Sequence, residues 1–385
     1  MKKLIILNQR IVDWEKKGEI QKNYFNPDNK YKKIIIISFL KKGKPSNESL
    51  KIICGKAKFE YIEIKNFFLT NNFIRFFLPF FLYKNLINNE LSHLKLEKPS
   101  TVRCFGDGYI GYLSSLISSY YSCPIIISIH TYFKLDIFLK YYSIREKIFY
   151  LLNLRFKSKS HKLSNKILVV YKKISENIDK KYLGKIELSY NQIYVDKIHE
   201  KKATKIGKIC NLVFVGRLIK GKSVLNIIKA LKKIDNVNLS IYGDGSEKRR
   251  IESFIKLNNL ENRIFLKGFQ NNKKILFDLK SYDAFIAFHK YYEFPKTIIE
   301  ALLVGLPIIL NKNPSLFLEE FEDLKILWTD DNPESYRRTI ECFIDKKFNI
   351  EYNQENNKKE IKKILKKKKC LIFVLLLVLV QNLLK

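Results

Sequence analysis

The sequence predicts an α/β protein of two domains, each a parallel sheet covered by helices, and three observations carry that reading. Between Asn211 and Asn311 one pattern occurs three times in succession, a β-branched run that meets a glycine or charged turn and then feeds a helical stretch. At 385 residues and 45.7 kDa the chain exceeds one ordinary core, which favours two domains of similar size. The first half repeats strand and helix less cleanly, and the polar, basic, aperiodic segment KIHEKKATKIGK separates the halves. The expected division is residues 1–200, residues 201–357 and a basic-apolar tail over residues 358–385, with the hinge near residues 196–210.

Composition limits the classes of function. A hydrophobic fraction of 46% is ample for folding and excludes wholesale disorder. The net charge of +34 suits an anionic membrane surface or phosphorylated substrates, although a Lys-rich composition accounts for much of it. No nucleic-acid partner is expected, because Lys greatly outnumbers Arg and no recognition motif accompanies the charge. Cys54, Cys104, Cys123, Cys210, Cys342 and Cys370 are scattered, and read as buried free thiols in a reducing compartment.

Taken in order, KLIILN is a first strand rather than a secretory signal, because polar and charged residues soon interrupt it. KKGEIQKNYFNPDN is a polar loop with Gly18 at its tip. Strands follow at Ile34 to Phe39 and at KFEYIEI. Residues 67–88, rich in aromatics with Pro79 in the middle, are too interrupted to span a membrane. They read as a packed helix kinked at the proline, or as a helix lying at a bilayer interface. Gly106, Gly108 and Gly111 match G-x-G-x-x-G at a strand-to-helix junction, but the acidic residue that a dinucleotide site needs after the next strand is missing. His130 stands there instead, aimed into the crevice or satisfied locally. ILVV, residues 167–170, is a further strand.

Ligands of open parallel sheets sit beyond the carboxyl ends of the strands, so the residues at those ends in the second half are the site candidates. Gly216 ends a strand and Arg217 follows, where a guanidinium fork can grip phosphate oxygens. Lys222 opens the next helix as a second point charge, or as part of a solvated basic turn. Gly243 and Gly245 around Asp244 permit close backbone approach, as in any tight strand-to-helix turn. Ile264 to Gly268 is another strand ending in glycine, where a flat ring can rest. After Phe288 come His289, two tyrosines, Glu293, Phe294, Pro295 and Lys296. Thr297 and Ile298 then begin a helix with free N–H groups for an anion. Glu300, one turn in, is placed to accept hydrogen bonds from vicinal hydroxyls, and its apolar neighbours argue against a solvated face.

These motifs resemble the nucleotide-binding lobe of the retaining glycosyltransferases of family 4, which have the GT-B fold of two Rossmann-like domains facing across a cleft. GRL with Lys222 five residues after Arg217 and Ala230 eight beyond, the GDG turn, and FPKTIIEALLVGLPII agree in order and spacing. WEKKGEIQKNYFNP and ISIHT are similar to the family's opening loop and strand-end histidine. The resemblance covers most of residues 1–330. It implies that Arg217 and Lys222 bind the donor diphosphate, that Glu300 binds the ribose, and that the turn of Phe294, Pro295, Lys296, Thr297 and Ile298 supports phosphate and sugar. His130 is implied to contact the transferred sugar from the opposite lobe, Gly18 to let the first loop approach the donor, and Asn191 to match the asparagine before the interdomain region. An ungapped match puts Tyr292 on the family's first glutamate and Glu293 on the following glycine. Ser223 stands where a glycine follows the lysine.

The C-terminus joins KKEIKKILKKKK to CLIFVLLLVLV, too short for an ordinary spanning helix. It reads as a segment inserting into an anionic bilayer from the cytoplasmic side, as a buried final helix, or as an aberrant end. The functional expectation is a cytoplasmic glycosyltransferase at the membrane face, taking a nucleotide-diphosphate sugar as donor and a saccharide or lipid-linked acceptor. No cofactor and no metal are expected. A noncatalytic binding or scaffold protein of the same fold, an epimerase and a phosphorylase are the alternatives.

Overall fold

The structure is a computed structural model, and it describes residues 2–7, 11–39, 43–71, 74–130, 144–190, 207–289, 296–312, 323–345 and 354–363. The chain divides into two compact units: Met1–Tyr132 with Phe138–Ser189, and Tyr190–Lys385 with Phe133–Ile137. The expected boundary between residues 200 and 201 lies outside the described residues.

The first unit runs β1 (Lys3–Leu7), α1 (Ile11–Lys16), β2 (Lys33–Ser38), α2 (Asn47–Cys54), β3 (Lys58–Glu63), α3 (Phe67–Thr70), α4 (Phe80–Leu94), β4 (Thr101–Phe105), α5 (Tyr109–Tyr121), β5 (Ile125–Ile129), α6 (Ile144–Leu163), β6 (Lys166–Val169) and β7 (Ile186–Leu188). Its sheet has the order β3-β2-β1-β4-β5-β6-β7, with parallel ladders throughout. Strands such as KIIIIS are apolar without alternation because helices cover both faces, and Ile34 through Ile37 are fully buried.

The second unit runs β8 (Cys210–Val215), α7 (Val224–Leu231), β9 (Val237–Tyr242), α8 (Lys248–Leu257), β10 (Ile264–Gly268), α9 (Asn272–Leu279), β11 (Ala284–Ala287), α10 (Lys296–Val304), β12 (Ile308–Asn311), β13 (Leu327–Thr329) and α11 (Pro333–Ile344). The order is β10-β9-β8-β11-β12-β13, again parallel throughout. Both sheets reverse their winding direction between the first strand and the fourth, which is the doubly wound arrangement.

Several expectations need correction. Pro79 does not kink a helix; it stands at the N-cap of α4, where its missing N–H costs nothing. Gly18 is not a loop tip: it follows α1 with φ 65, and its N–H donates to Glu15 O at 2.9 Å. Cys54, Cys104 and Cys210 are buried free thiols, whereas Cys123 and Cys342 are only half-buried; Cys370 lies outside the described residues. Burial pushes the Cys54 and Cys104 thiols up to about 12, so both stay protonated.

The sequence reading also stopped short of β7, β13 and α11. Residues 354–363 form a further helix, in which Ile361 is fully buried. The Asn357 amide accepts from Lys325 N at 2.7 Å and donates to Lys325 O at 2.8 Å. The folded part therefore extends past residue 358, and the tail over residues 364–385 lies outside the described residues.

Candidate active site

Strand order sets the site. β8 leads outward to β9 on one side and β11 leads to β12 on the other, so the loops after β8 and β11 diverge and leave a crevice at the carboxyl ends. Gly216 and Arg217 follow β8; Phe288 and His289 follow β11.

The turn after β8 is fastened to the Gly243-Asp244-Gly245 turn by backbone bonds. Gly216 N donates to Tyr242 O at 2.9 Å, Leu218 N to Asp244 O at 2.9 Å, and Glu247 N to Leu218 O at 2.9 Å. A Cβ on Gly243 would stand 1.9 Å from Gly216 O, and one on Gly245 would stand 2.3 Å from Leu218 O. Both glycines have positive φ, 147 and 157. The close approach expected at this motif is thus made by the protein's own neighbouring turn.

Lys222 ends a short 3₁₀ turn and is 7% exposed, while Arg217 is exposed. The Lys222 Nζ lies 3.1 Å from His289 Nδ1. Burial, and then the Lys222 ammonium, hold the imidazole well below its ordinary range, so it is neutral and accepts a hydrogen bond from the ammonium. His289 is itself held by the Asn311 side chain, whose oxygen accepts from His289 N at 2.7 Å and whose amide donates to His289 O at 3.0 Å. Ser223 sits at φ 48 and ψ 26, the left-handed region that favours glycine. Its hydroxyl donates to Asp331 Oδ1 at 2.6 Å, and Asn226 Nδ2 donates to the same oxygen at 3.1 Å. These two contacts anchor the turn that carries Lys222.

Glu300 is 3% exposed on α10. Asn272 Nδ2, at the start of α9, lies 3.3 Å from each carboxylate oxygen, and Lys296 Nζ lies 3.6 Å from Oε1. Lys296, Thr297 and Ile298 form the opening turn of α10, where the first N–H groups lack helical acceptors. Helices that follow parallel strands begin at the carboxyl edge, so α9 and α10 both present their N-termini there. Glu293, Phe294 and Pro295, with Tyr292, lie outside the described residues.

In the first unit His130 follows β5, and its ring lies 5.5 Å from that of Phe105 at the end of β4. Trp14 and Tyr24 also pack on Phe105, so the WEKKGEIQKNYFNP segment gathers beside the histidine. Of the glycines at residues 106–111, Gly108 and Gly111 serve packing, whereas Gly106 has open space around it and a φ of 119. A Cβ on Gly108 would stand 2.6 Å from Asn153 Oδ1 of α6, and one on Gly111 would stand 2.9 Å from Gly106 O. Asp107 meets His161 Nε2 at 3.0 Å and Lys157 Nζ at 3.7 Å. Burial raises its carboxyl, but those two partners outweigh burial and hold it below the usual range. Asn191 lies outside the described residues.

Sequence reasoning placed His289 in the loop after Phe288 without giving it a role, and missed Asn311, Asn272 and Asp331 as site residues. The available signal was position: His289 follows the strand AFIA, and Asn311 ends the strand IILN. Among the described residues no group of three or more His, Cys, Asp or Glu is arranged to hold a metal ion.

Two doubly wound parallel sheets in one chain define the GT-B class of α/β proteins. The Anabaena protein HepE, in complex with UDP and glucose, superposes with a TM-score of 0.66 at 13% identity, over 97% of this chain and 99% of its own. Residues 196–363 match the family described as Glycosyl transferases group 1. A Campylobacter jejuni transferase, named for adding N-acetylgalactosamine to a diphospho-undecaprenol-linked saccharide, is 32% identical over 142 residues, 36% of this chain and 38% of its own length. The Escherichia coli O-antigen biosynthesis glycosyltransferase WclY is 25% identical over 222 residues, 55% of this chain and 60% of its own. The matches thus span less than two thirds of the length of these curated relatives.

Proposed function

We propose that this protein is a retaining glycosyltransferase of family 4 that moves a sugar from a nucleotide-diphosphate donor to a saccharide or lipid-linked acceptor in cell-surface glycan synthesis. Its place would be the cytoplasmic face of the membrane. The observation that carries the reading is the buried Lys222 ammonium, oriented by a neutral His289 at the point where the second sheet reverses direction. Glycosidic bond breaking puts negative charge on the departing diphosphate and positive charge on the anomeric carbon. A preoriented ammonium stabilises the leaving side without reorganising. The exposed Arg217 supplies a bidentate partner, and the N–H groups of Lys296, Thr297 and Ile298 add the field of a helix N-terminus.

Glu300 is an ionisable acceptor held in place by Asn272 and Lys296 one turn into α10, which suits the two hydroxyls of a ribose. The roles of His130 with the sugar, of Gly18 with the donor, and of Glu293, Phe294 and Pro295 rest on the family resemblance. Protein cations take the place of a metal, and no cofactor takes part. The leaving phosphate handles the proton of the attacking hydroxyl, because among the described residues no hydrolase-like carboxylate pair is placed for it. HepE in complex with UDP and a relative named for a lipid-linked saccharide support the choice of donor and acceptor.

The test is a panel of nucleotide sugars with saccharide and lipid-linked acceptors, the anomeric configuration of the product being read by NMR. Transfer with retention, unaffected by EDTA, is expected. Inversion would overturn the mechanism. Neither binding nor transfer by folded protein across the panel would overturn the function.

A further inference from the structure

We infer that the face of the first unit formed by α3, the turn at residues 74–78, the start of α4 and the outer stripe of α6 is a docking surface for an anionic lipid bilayer. Phe67, Phe68, Phe77 and Phe81 are 57%, 47%, 57% and 66% exposed, an unusual concentration of large rings in water. On α6, Ile144, Ile148 and Leu151 are 76%, 51% and 53% exposed at spacings of four and three, so they share one stripe.

The two groups adjoin. Arg155 continues the α6 stripe, and its guanidinium donates to the carbonyls of Phe76 and Leu78 on either side of Phe77. Tyr109, whose hydroxyl donates to Leu69 O of α3, also receives the Asn153 side chain of α6 on its own N–H.

Charge selects the occupant. From residue 64 to residue 89 the sequence holds Lys65, Arg75 and Lys84 and no Asp or Glu. Over α6, six basic residues stand against the single acid Glu146. Arg155 and Lys159 lie 4.6 Å and 4.2 Å from the Phe80 ring, which places cations beside the aromatic face. Exposed aromatics with flanking lysines and arginines match the depth profile of an interface, with rings at the acyl boundary and cations among anionic headgroups. A polar or neutral partner protein would leave those cations unmatched. Among the described residues no helix is long and apolar enough to cross a membrane. Vesicle binding is read without turnover, so its failure and the failure of the transfer reaction are distinguishable.

The experiment is sedimentation of the full chain with vesicles of phosphatidylcholine alone and of phosphatidylcholine with about one third phosphatidylglycerol. Binding is expected to the second and to weaken with added salt. Combined Phe67→Ser, Phe77→Ser and Phe81→Ser, with unchanged circular dichroism, are expected to lower partitioning about tenfold or more. Lys84→Glu with Lys147→Glu are expected to lower binding to the anionic vesicles by about fivefold per lysine. Equal binding by wild type and the triple serine variant would overturn the inference, since another part of the chain would then carry the contact. So would a failure of wild type to bind either vesicle. A wild-type dimer that the serine substitutions dissociate would also overturn it, assigning the face to a second copy.

Discussion

At the scale of single residues, the decisive feature is the protonation state of His289. Its pKa is depressed in the folded chain, so as pH falls through about 6.5 the unfolded chain takes up a proton that the folded chain refuses. The stability it permits is present above that pH and is lost on acidification towards its folded value. Thermal melts of wild type from pH 7.5 to pH 5 are therefore expected to fall with a steeper slope than those of His289→Gln, by at most about 1.4 kcal/mol per pH unit. Parallel curves would show that the imidazole does not titrate this way. Glu300→Gln keeps the shape of a buried side chain but replaces an ionised acceptor with a neutral amide. Nucleoside diphosphate affinity, read by calorimetry, is expected to drop by about tenfold to a hundredfold, the range for one hydrogen bond to a charged group. The fold should change little, although Lys296 loses its counter-charge.

The turns at the carboxyl edge of the second sheet divide into those closed by backbone and those open to solvent. Gly243 and Gly245 have no room for a side chain, because the atoms they would strike are main-chain carbonyls of the adjoining turn. Gly268, at φ 65, has nothing within 4 Å of its position for a Cβ. Gly268→Ala is expected to cost about 1–2 kcal/mol, the left-handed penalty alone. Gly243→Ala and Gly245→Ala are expected to cost more than about 3 kcal/mol each or to prevent folding. Denaturant melts of the three variants measure the contrast, and equal losses would contradict the packing account. Ser223 shows the milder form of the same constraint. Its left-handed backbone costs about 1 kcal/mol relative to glycine, and the short bond to Asp331 offsets it.

On the scale of the whole molecule, we propose the division near residues 200 and 201. It follows from a segment at residues 197–208 that is rich in lysine and lacks any apolar period. Limited trypsin digestion is expected to cut first within that segment and to leave two fragments that persist on further digestion. First cleavage inside α5 or α7, read by mass spectrometry, would place the division elsewhere. The two units differ in the groups they carry. The first carries the aromatic and basic face, and the second carries the cationic crevice and the buried carboxylate of Glu300.

By itself the sequence determined the class of fold and the identity of most candidate groups. Unbroken Ile, Leu and Val runs bounded by glycine turns and followed by helical periods can fold only with both faces of a sheet covered. Arg217, Lys222 and Glu300 were legible because each stands at a fixed offset from such a turn. Only the tertiary structure decided what those groups meet. His289 is 67 residues from Lys222 and Asn272 is 28 from Glu300. Local periodicity carries no information at that range. Lys222 and His289 adjoin because the strand order sets β8 directly beside β11 while β9 and β10 lie on the other side. The same order presses the two glycine turns together, which turns a motif read as open backbone into packed main chain. Pro79 illustrates the reverse limit: its fixed φ suits a helix start as well as a kink, and the packing of its neighbours chose the start.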